Sequence, residues 1–181
     1  MLLVFAHPYP RRSRANAALL EAVAAHSEVK VHSLYDRYPD FDIDVELEQR
    51  TLSEARGLVI QHPIYWYSVP GLLKHWMDKV LVRGFAYGPG GTALHGKPCL
   101  WAPTSGGDEL AYSEAGMHGF PFPSFVPPIE QMARFCGMTW QEPLVVHAAH
   151  RMSDEALRER ASEYRARVEA LLSSVQGEAS R

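Results

Sequence analysis

Residues 57–80 read GLVIQHPIYWYSVPGLLKHWMDKV, and the order of residue types in them sets the architecture. Leu58, Val59 and Ile60 form a short apolar run, which fits a strand buried on both faces. His62-Pro63 should stop it, because proline lacks the N–H a ladder needs and biases its predecessor away from helix. Ile64 to Ser68 then form a loop with three consecutive aromatics. Pro70 suits the first turn of a helix, with Ser68 near the cap. Leu72, Leu73, Trp76, Met77 and Val80 give that helix one apolar side. A buried strand thus runs through an aromatic loop into a helix start, which in a parallel α/β sheet is the end where ligands sit. The three aromatics either cover a flat ligand or a partner, or plug the core beneath the loop.

The chain before this stretch repeats the pattern. Residues 2–6 are an apolar strand that ends at His7-Pro8-Tyr9-Pro10. Ser13 then precedes an alanine- and leucine-rich helix over 15–25. A strand, a turn and a helix N-terminus make an anion site, because free N–H groups and the helix dipole face the turn. Ser13 and Asn16 add neutral donors one turn apart, and Arg11, Arg12 and Arg14 make the surroundings positive. Taken alone, this loop reads equally well as a capped helix with surface arginines. Residues 29–34 alternate as a second strand, 35–44 connect, and 45–55 form a short helix.

After the 57–80 unit, residues 82–96 carry five glycines and read as a long loop. Residues 97–103 are the fourth strand, running into Thr104-Ser105-Gly106-Gly107, where glycine lets backbone N–H groups approach a ligand. Residues 108–128 are a second long irregular segment, and loops of that length in a compact domain carry function or disorder. A helix over 129–136, starting near Phe125, precedes a fifth strand within 138–147. Ser153 caps a last helix carrying Leu157, Ala161, Tyr164, Val168 and Leu171 on one side. Residues 1–175 read as one domain, with 176–181 a loose tail.

The sequence predicts an α/β fold: a doubly wound, flavodoxin-like sheet of five parallel strands in order 2-1-3-4-5, with helices on both faces. The loops after strands one, three and four then meet at the switch point. The first suits a phosphate, and the other two offer flat aromatics and backbone donors. A phosphate end and a flat, edge-polar end describe flavin mononucleotide. Neither a Walker lysine pattern nor G-x-G-x-x-G is present.

A net charge of −3 gives no reason to expect nucleic acid. Cys99 and Cys136 have neither metal nor disulfide-framework spacing, and the histidines lack metal-site context, so no metal is expected. The N-terminus lacks a basic n-region, and no run approaches the roughly 18 apolar residues of a membrane span. A cytoplasmic protein is expected.

AHPYPRRSRANAALL (6–20), QHPIYWYSVPGLLKHWMDKV (61–80), GFAYGPGGTALHGK (84–97) and TSGG (104–107) resemble the flavodoxin-like NAD(P)H:quinone oxidoreductases. Within these, the resemblance is nearest to the ancillary oxidoreductase subunits of glutathione-gated potassium-efflux systems. It covers roughly residues 2–147. It implies that flavin is bound by His7, Ser13, Arg14, Ala15 and Asn16 in the first loop. Pro63, Ile64, Tyr65, Trp66 and Tyr67 serve in the second, and Thr104, Ser105, Gly106 and Gly107 in the third. Tyr112-Ser113-Glu114-Ala115-Gly116-Met117-His118-Gly119 also matches the Y-S-x-x-G-x-H-G pattern of the larger quinone reductases. That implies Tyr112 and His118 as catalytic residues. A phenol hydrogen bond and a proton-carrying imidazole would stabilise negative charge that develops on the flavin as it takes a hydride.

The resemblance implies a flavin-dependent NAD(P)H dehydrogenase (quinone). NAD(P)H reduces FMN and leaves, and a quinone then takes the hydride. It also implies a homodimer. The same flavoprotein could instead serve as a regulatory subunit of a potassium-efflux transporter, peripheral to the inner face of the membrane. A third reading, a flavodoxin-type electron carrier, fits poorly with the small net charge and with the Tyr112/His118 pair. FAD is the alternative to FMN, but the short chain has no obvious segment for an adenine pocket.

Overall fold

A computed structural model of the chain describes residues 1–179. Five strands, β1 (Leu2–Phe5), β2 (Lys30–Ser33), β3 (Leu58–Pro63), β4 (Pro98–Thr104) and β5 (Thr139–Trp140), form one sheet in order β2-β1-β3-β4-β5. Every pairing is parallel. This is the predicted order. Six helices connect or flank the strands: α1 (Arg14–Ala24), α2 (Leu34–Arg37), α3 (Val45–Glu54), α4 (Gly71–Val80), α5 (Pro127–Phe135) and α6 (Asp154–Ala179).

Alternate residues of each central strand enter opposite cores. Leu3, Phe5, Val59 and Leu100 pack with Leu19 and Val23 of α1 and with Tyr164 and Val168 of α6. Leu2, Val4, Ile60 and Trp101 pack with Leu52 of α3, Leu72 and Trp76 of α4, and Ile129 of α5. The predicted apolar face of α4 is the buried one. On the α2–α4 side lies one fully buried carboxylate, Glu48. It accepts from Tyr38 Oη at 2.7 Å, Trp76 Nε1 at 3.0 Å and His32 Nδ1 at 3.2 Å. Burial alone would raise its pKa, but these hydrogen bonds outweigh burial and hold it below the ordinary range. The charge thereby ties β2, α3 and α4 together.

Several boundaries differ from expectation. β3 does not stop before Pro63; it pairs with β4 as far as Pro63↔Thr104. The Gln61 carbonyl accepts the Ala6 amide, and the Ile64 amide donates to Thr104. By alternation, the Pro63 nitrogen faces the β1 side beyond the end of β1, where no N–H is required. Ser68 does not cap α4. Its backbone pairs both ways with Tyr65, and Pro70 takes the cap position. The 35–44 connection holds most of α2, a single turn too short to show periodicity. α5 starts at Pro127, after a 3₁₀ turn over Phe122–Phe125. Only two residues of 138–147 are strand. Beyond Pro143, spaced bonds from Leu144 to Trp101 and from Val146 to Pro103 continue along β4. α6 runs on through Ala179, so it takes in 176–179 of the expected tail, whose last two residues lie outside the described ones.

Candidate functional site

The loops after β1, β3 and β4 border one cavity of about 450 Å³ at the carboxyl end of the sheet. Of the first loop it takes in His7, Ser13, Arg14 and Ala15; of the second, Pro63, Ile64 and Tyr65; of the third, Thr104, Ser105 and Gly106. The α1 N-terminus opens here, where its unpaired amides and dipole favour an anion.

Asn16 is buried behind this wall rather than lining it. Its carboxamide nitrogen donates to Thr104 Oγ1 at 2.8 Å and Ser13 Oγ at 3.1 Å. The Asn16 backbone amide also donates to Ser13 Oγ, at 3.3 Å. Both hydroxyls are thus acceptors on the protein side, which leaves their protons free to donate into the cavity. Gln61 Nε2 holds the Asn16 carbonyl at 2.9 Å, and Tyr164 Oη of α6 holds Gln61 Oε1 at 3.1 Å. A chain of buried hydrogen bonds through α6, β3 and α1 therefore fixes one pair of hydroxyls.

His7 Nδ1 accepts the Tyr9 amide at 2.9 Å, so the neutral ring carries its proton on Nε2. Burial lowers the His7 pKa and favours that neutral form. Arg14 borders the cavity, but its guanidinium also bonds Asp154 and the Met152 carbonyl at the start of α6. Arg12 lies over the Tyr9 ring at 5.7 Å and borders the cavity as well.

Tyr65 to Ser68 form a tight turn in which Trp66 and Tyr67 both have positive φ, 48° and 62°. That backbone suits glycine or asparagine and costs a bulky residue about 1–2 kcal/mol. Trp66 is 92% exposed and does not border the cavity. Tyr67 turns the other way: it stacks on Phe125 at 5.3 Å, and its Oη lies 3.3 Å from His118 Nδ1.

The 108–128 segment folds back on the third loop. Tyr112 and His118 pack ring against ring, 4.2 Å apart. Gly107 lies beneath them, where a Cβ would meet His118 Nε2 at 2.7 Å and Tyr112 Cε2 at 2.9 Å. Ser105 Oγ bonds Tyr112 Oη at 3.0 Å. Among the described residues, His118 Nε2 is buried without a partner, as is Nδ1 of the neighbouring His147.

A fourth loop, absent from the sequence expectation, also contributes. Ala149 and His150 border the cavity, and the Ala149 amide is held by the Ser105 carbonyl at 2.9 Å. The available signal was position, since His147 to His150 follow an apolar run just as the other three loops do. His62, beside the site, serves the frame. Its Nε2 accepts from Trp101 Nε1 at 2.7 Å and its Nδ1 donates to the Pro63 carbonyl at 2.8 Å. Complete burial pushes its pKa down to about 4. Among the described residues, no cluster of three or more His, Cys, Asp or Glu could hold a metal.

A family model described as the flavodoxin-like fold matches residues 1–168. The chain is 48% identical over 168 residues to the glutathione-regulated potassium-efflux system ancillary protein KefF of Salmonella arizonae, spanning 93% of this chain and 94% of that one. Among solved structures, general stress protein 14 of Treponema denticola, in complex with FMN, superposes with a TM-score of 0.87 at 34% identity, over 94% and 98% of the two chains. An NADPH-quinone reductase from P. pentosaceus gives 0.82 at 30% identity, over 91% and 94%.

Proposed function

The chain belongs to the flavodoxin-like fold family, and on that footing we propose that it is an FMN-dependent NAD(P)H:quinone oxidoreductase. The observation that carries this reading is the cavity at the α1 N-terminus, with Asn16 leaving two hydroxyl protons free to donate into it. These donors fit a phosphate monoester. Ser13, Thr104 and the first amides of α1 would hold it, with Arg12 and Arg14 adding positive charge. His7, Ala15, Pro63, Ile64, Tyr65, Ser105 and Gly106 would wall the rest of the ligand. Bound FMN would supply the two-electron chemistry, taking a hydride from NAD(P)H and passing it to a quinone-type acceptor. Tyr112 would direct a phenol hydrogen bond at the charge that develops, and His118 would carry a proton beside it. The solved FMN complex of the Treponema relative supports FMN over FAD.

The test is the absorbance spectrum of the purified protein after FMN is offered. A yellow protein that bleaches with NADPH and regains colour with a quinone is expected. A colourless protein that takes up no FMN overturns the reading, and one that binds FMN but resists both NADPH and NADH favours an electron carrier.

The likeness to KefF favours a second role for the same flavoprotein: a dimeric ancillary subunit docked on the cytoplasmic part of a potassium-efflux transporter. No described helix is long and apolar enough to cross a membrane. Co-purification with such a transporter tests it, and failure to associate with one removes that role while leaving the enzyme.

A further inference from the structure

Ser105 stands where the cavity wall meets the Tyr112/His118 pair. It is 1% exposed. Its Oγ accepts the Gly107 amide at 3.2 Å and lies within donating distance of two oxygens, Tyr112 Oη at 3.0 Å and the Gly107 carbonyl at 3.3 Å. The Gly107 carbonyl already accepts the Ala148 amide at 2.9 Å. The Tyr112 ring has little freedom. His118 lies against it, Phe122 meets it edge-on at 5.1 Å, and Phe125 at 5.9 Å.

A hydroxyl with one proton and two acceptors permits two arrangements. In one, Tyr112 donates to Ser105, and Ser105 donates to the Gly107 carbonyl. In the other, Ser105 donates to Tyr112, and the phenol proton is free for a ligand. The second forms a one-way chain, Gly107 N–H to Ser105 O–H to Tyr112 O–H, in which each bond polarises the next. An acceptor that gains negative charge beside Tyr112 selects it. We propose that Ser105 is a positioning residue, which turns the Tyr112 proton outward and strengthens it as a donor. This rests on the flavin reading above and adds to it a residue that acts through Tyr112.

The experiment is a double-mutant cycle of Ser105→Ala with Tyr112→Phe, read in two ways. In the FMN-loaded protein, Ser105→Ala is expected to slow flavin reduction by NADPH about tenfold, the scale of one lost hydrogen bond. It should slow Tyr112→Phe no further. Additive losses, or no loss in the single variant, would overturn the proposal. In the flavin-free protein labelled at the tyrosine ζ-carbon, the Tyr112 signal is the one absent from Tyr112→Phe. Its chemical shift should move in Ser105→Ala, because the phenol oxygen loses its hydrogen-bond partner, and an unmoved signal also overturns the proposal. Should Ser105→Ala not fold or not load FMN, Ser105→Cys carries the same comparison with a weak donor of similar size. If the unsubstituted protein binds no FMN, the flavin reading fails, while the ζ-carbon signal still scores the Ser105–Tyr112 bond.

Discussion

A methyl group at position 107 has nowhere to go. It would meet His118 and Tyr112 well inside contact distance, and the Phe122 and Phe125 rings behind Tyr112 leave it little room to retreat. Gly107→Ala should therefore fold, displace the pair, and lower flavin reduction at least tenfold while FMN affinity falls less; equal losses in both would show that the pair serves only binding. His62 makes a different prediction. Its folded pKa of about 4 lies below the ordinary 6.5. Above pH 6.5 the ring is neutral in both states. Below it the unfolded chain takes a proton that the folded chain refuses, so stability falls as pH drops from 6.5 to about 4. The difference amounts to about 3 kcal/mol. Urea melts should show His62→Gln losing that much less than the parent across the window, and parallel curves would contradict it. At this scale the sequence revealed three of the four loops that border the cavity, since each follows an apolar run. It did not reveal where they point. Arg14 bonds Asp154, 140 positions away, and Asn16 faces Thr104 across 88. Such pairings arise only once the sheet has formed.

Strain in the Tyr65–Ser68 turn is a property of the element. Two successive aromatics with positive φ are costly, and such cost persists where function repays it. Trp66→Asn should relieve part of it and raise stability by up to about 1 kcal/mol. FMN affinity or dimerisation should fall in return. A thermal melt together with an FMN titration and a sedimentation run would check the trade, and a variant both more stable and unimpaired would show the strain to be incidental. The elements were mostly legible because their signals are local: apolar runs for β1, β3 and β4, and the apolar stripe of α4. The failures were also local rules, each overridden by a neighbour. Proline fails to end β3 because β1 has already ended on that side. Ser68 fails to cap α4 because the turn claims its backbone. β5 is short as a strand, and the spaced bonds from Leu144 and Val146 to β4 carry the chain on to Ala149 and His150 at the cavity.

For the whole molecule, an apolar surface lies next to the Tyr65–Ser68 turn. A groove of about 390 Å³ between α4 and α5 is lined by Met77, Leu81, Ile129 and Met132, with Tyr87 and Phe135 in contact at its edge, 4.9 Å apart. Phe135 is 60% exposed, and a large apolar side chain at the rim of an apolar groove marks an interface more than an ordinary surface. The groove begins at Ser68 and Val69, where the strained turn ends. In the proposed homodimer, a second copy seated here would also press on Trp66 and Tyr67, so assembly and flavin binding would be coupled. Phe135→Glu places a charge where the partner's apolar surface would lie. It should convert a micromolar dimer to monomer in sedimentation velocity and weaken FMN binding by about tenfold, as expected when one association preorganises the other. Arg158→Glu, an exposed position on α6 at the opposite face of the sheet, should change neither. If the parent chain is already monomeric at that concentration and still binds FMN tightly, the groove serves something other than a second copy. If Phe135→Glu dissociates the dimer and leaves FMN affinity untouched, the turn answers to the flavin alone.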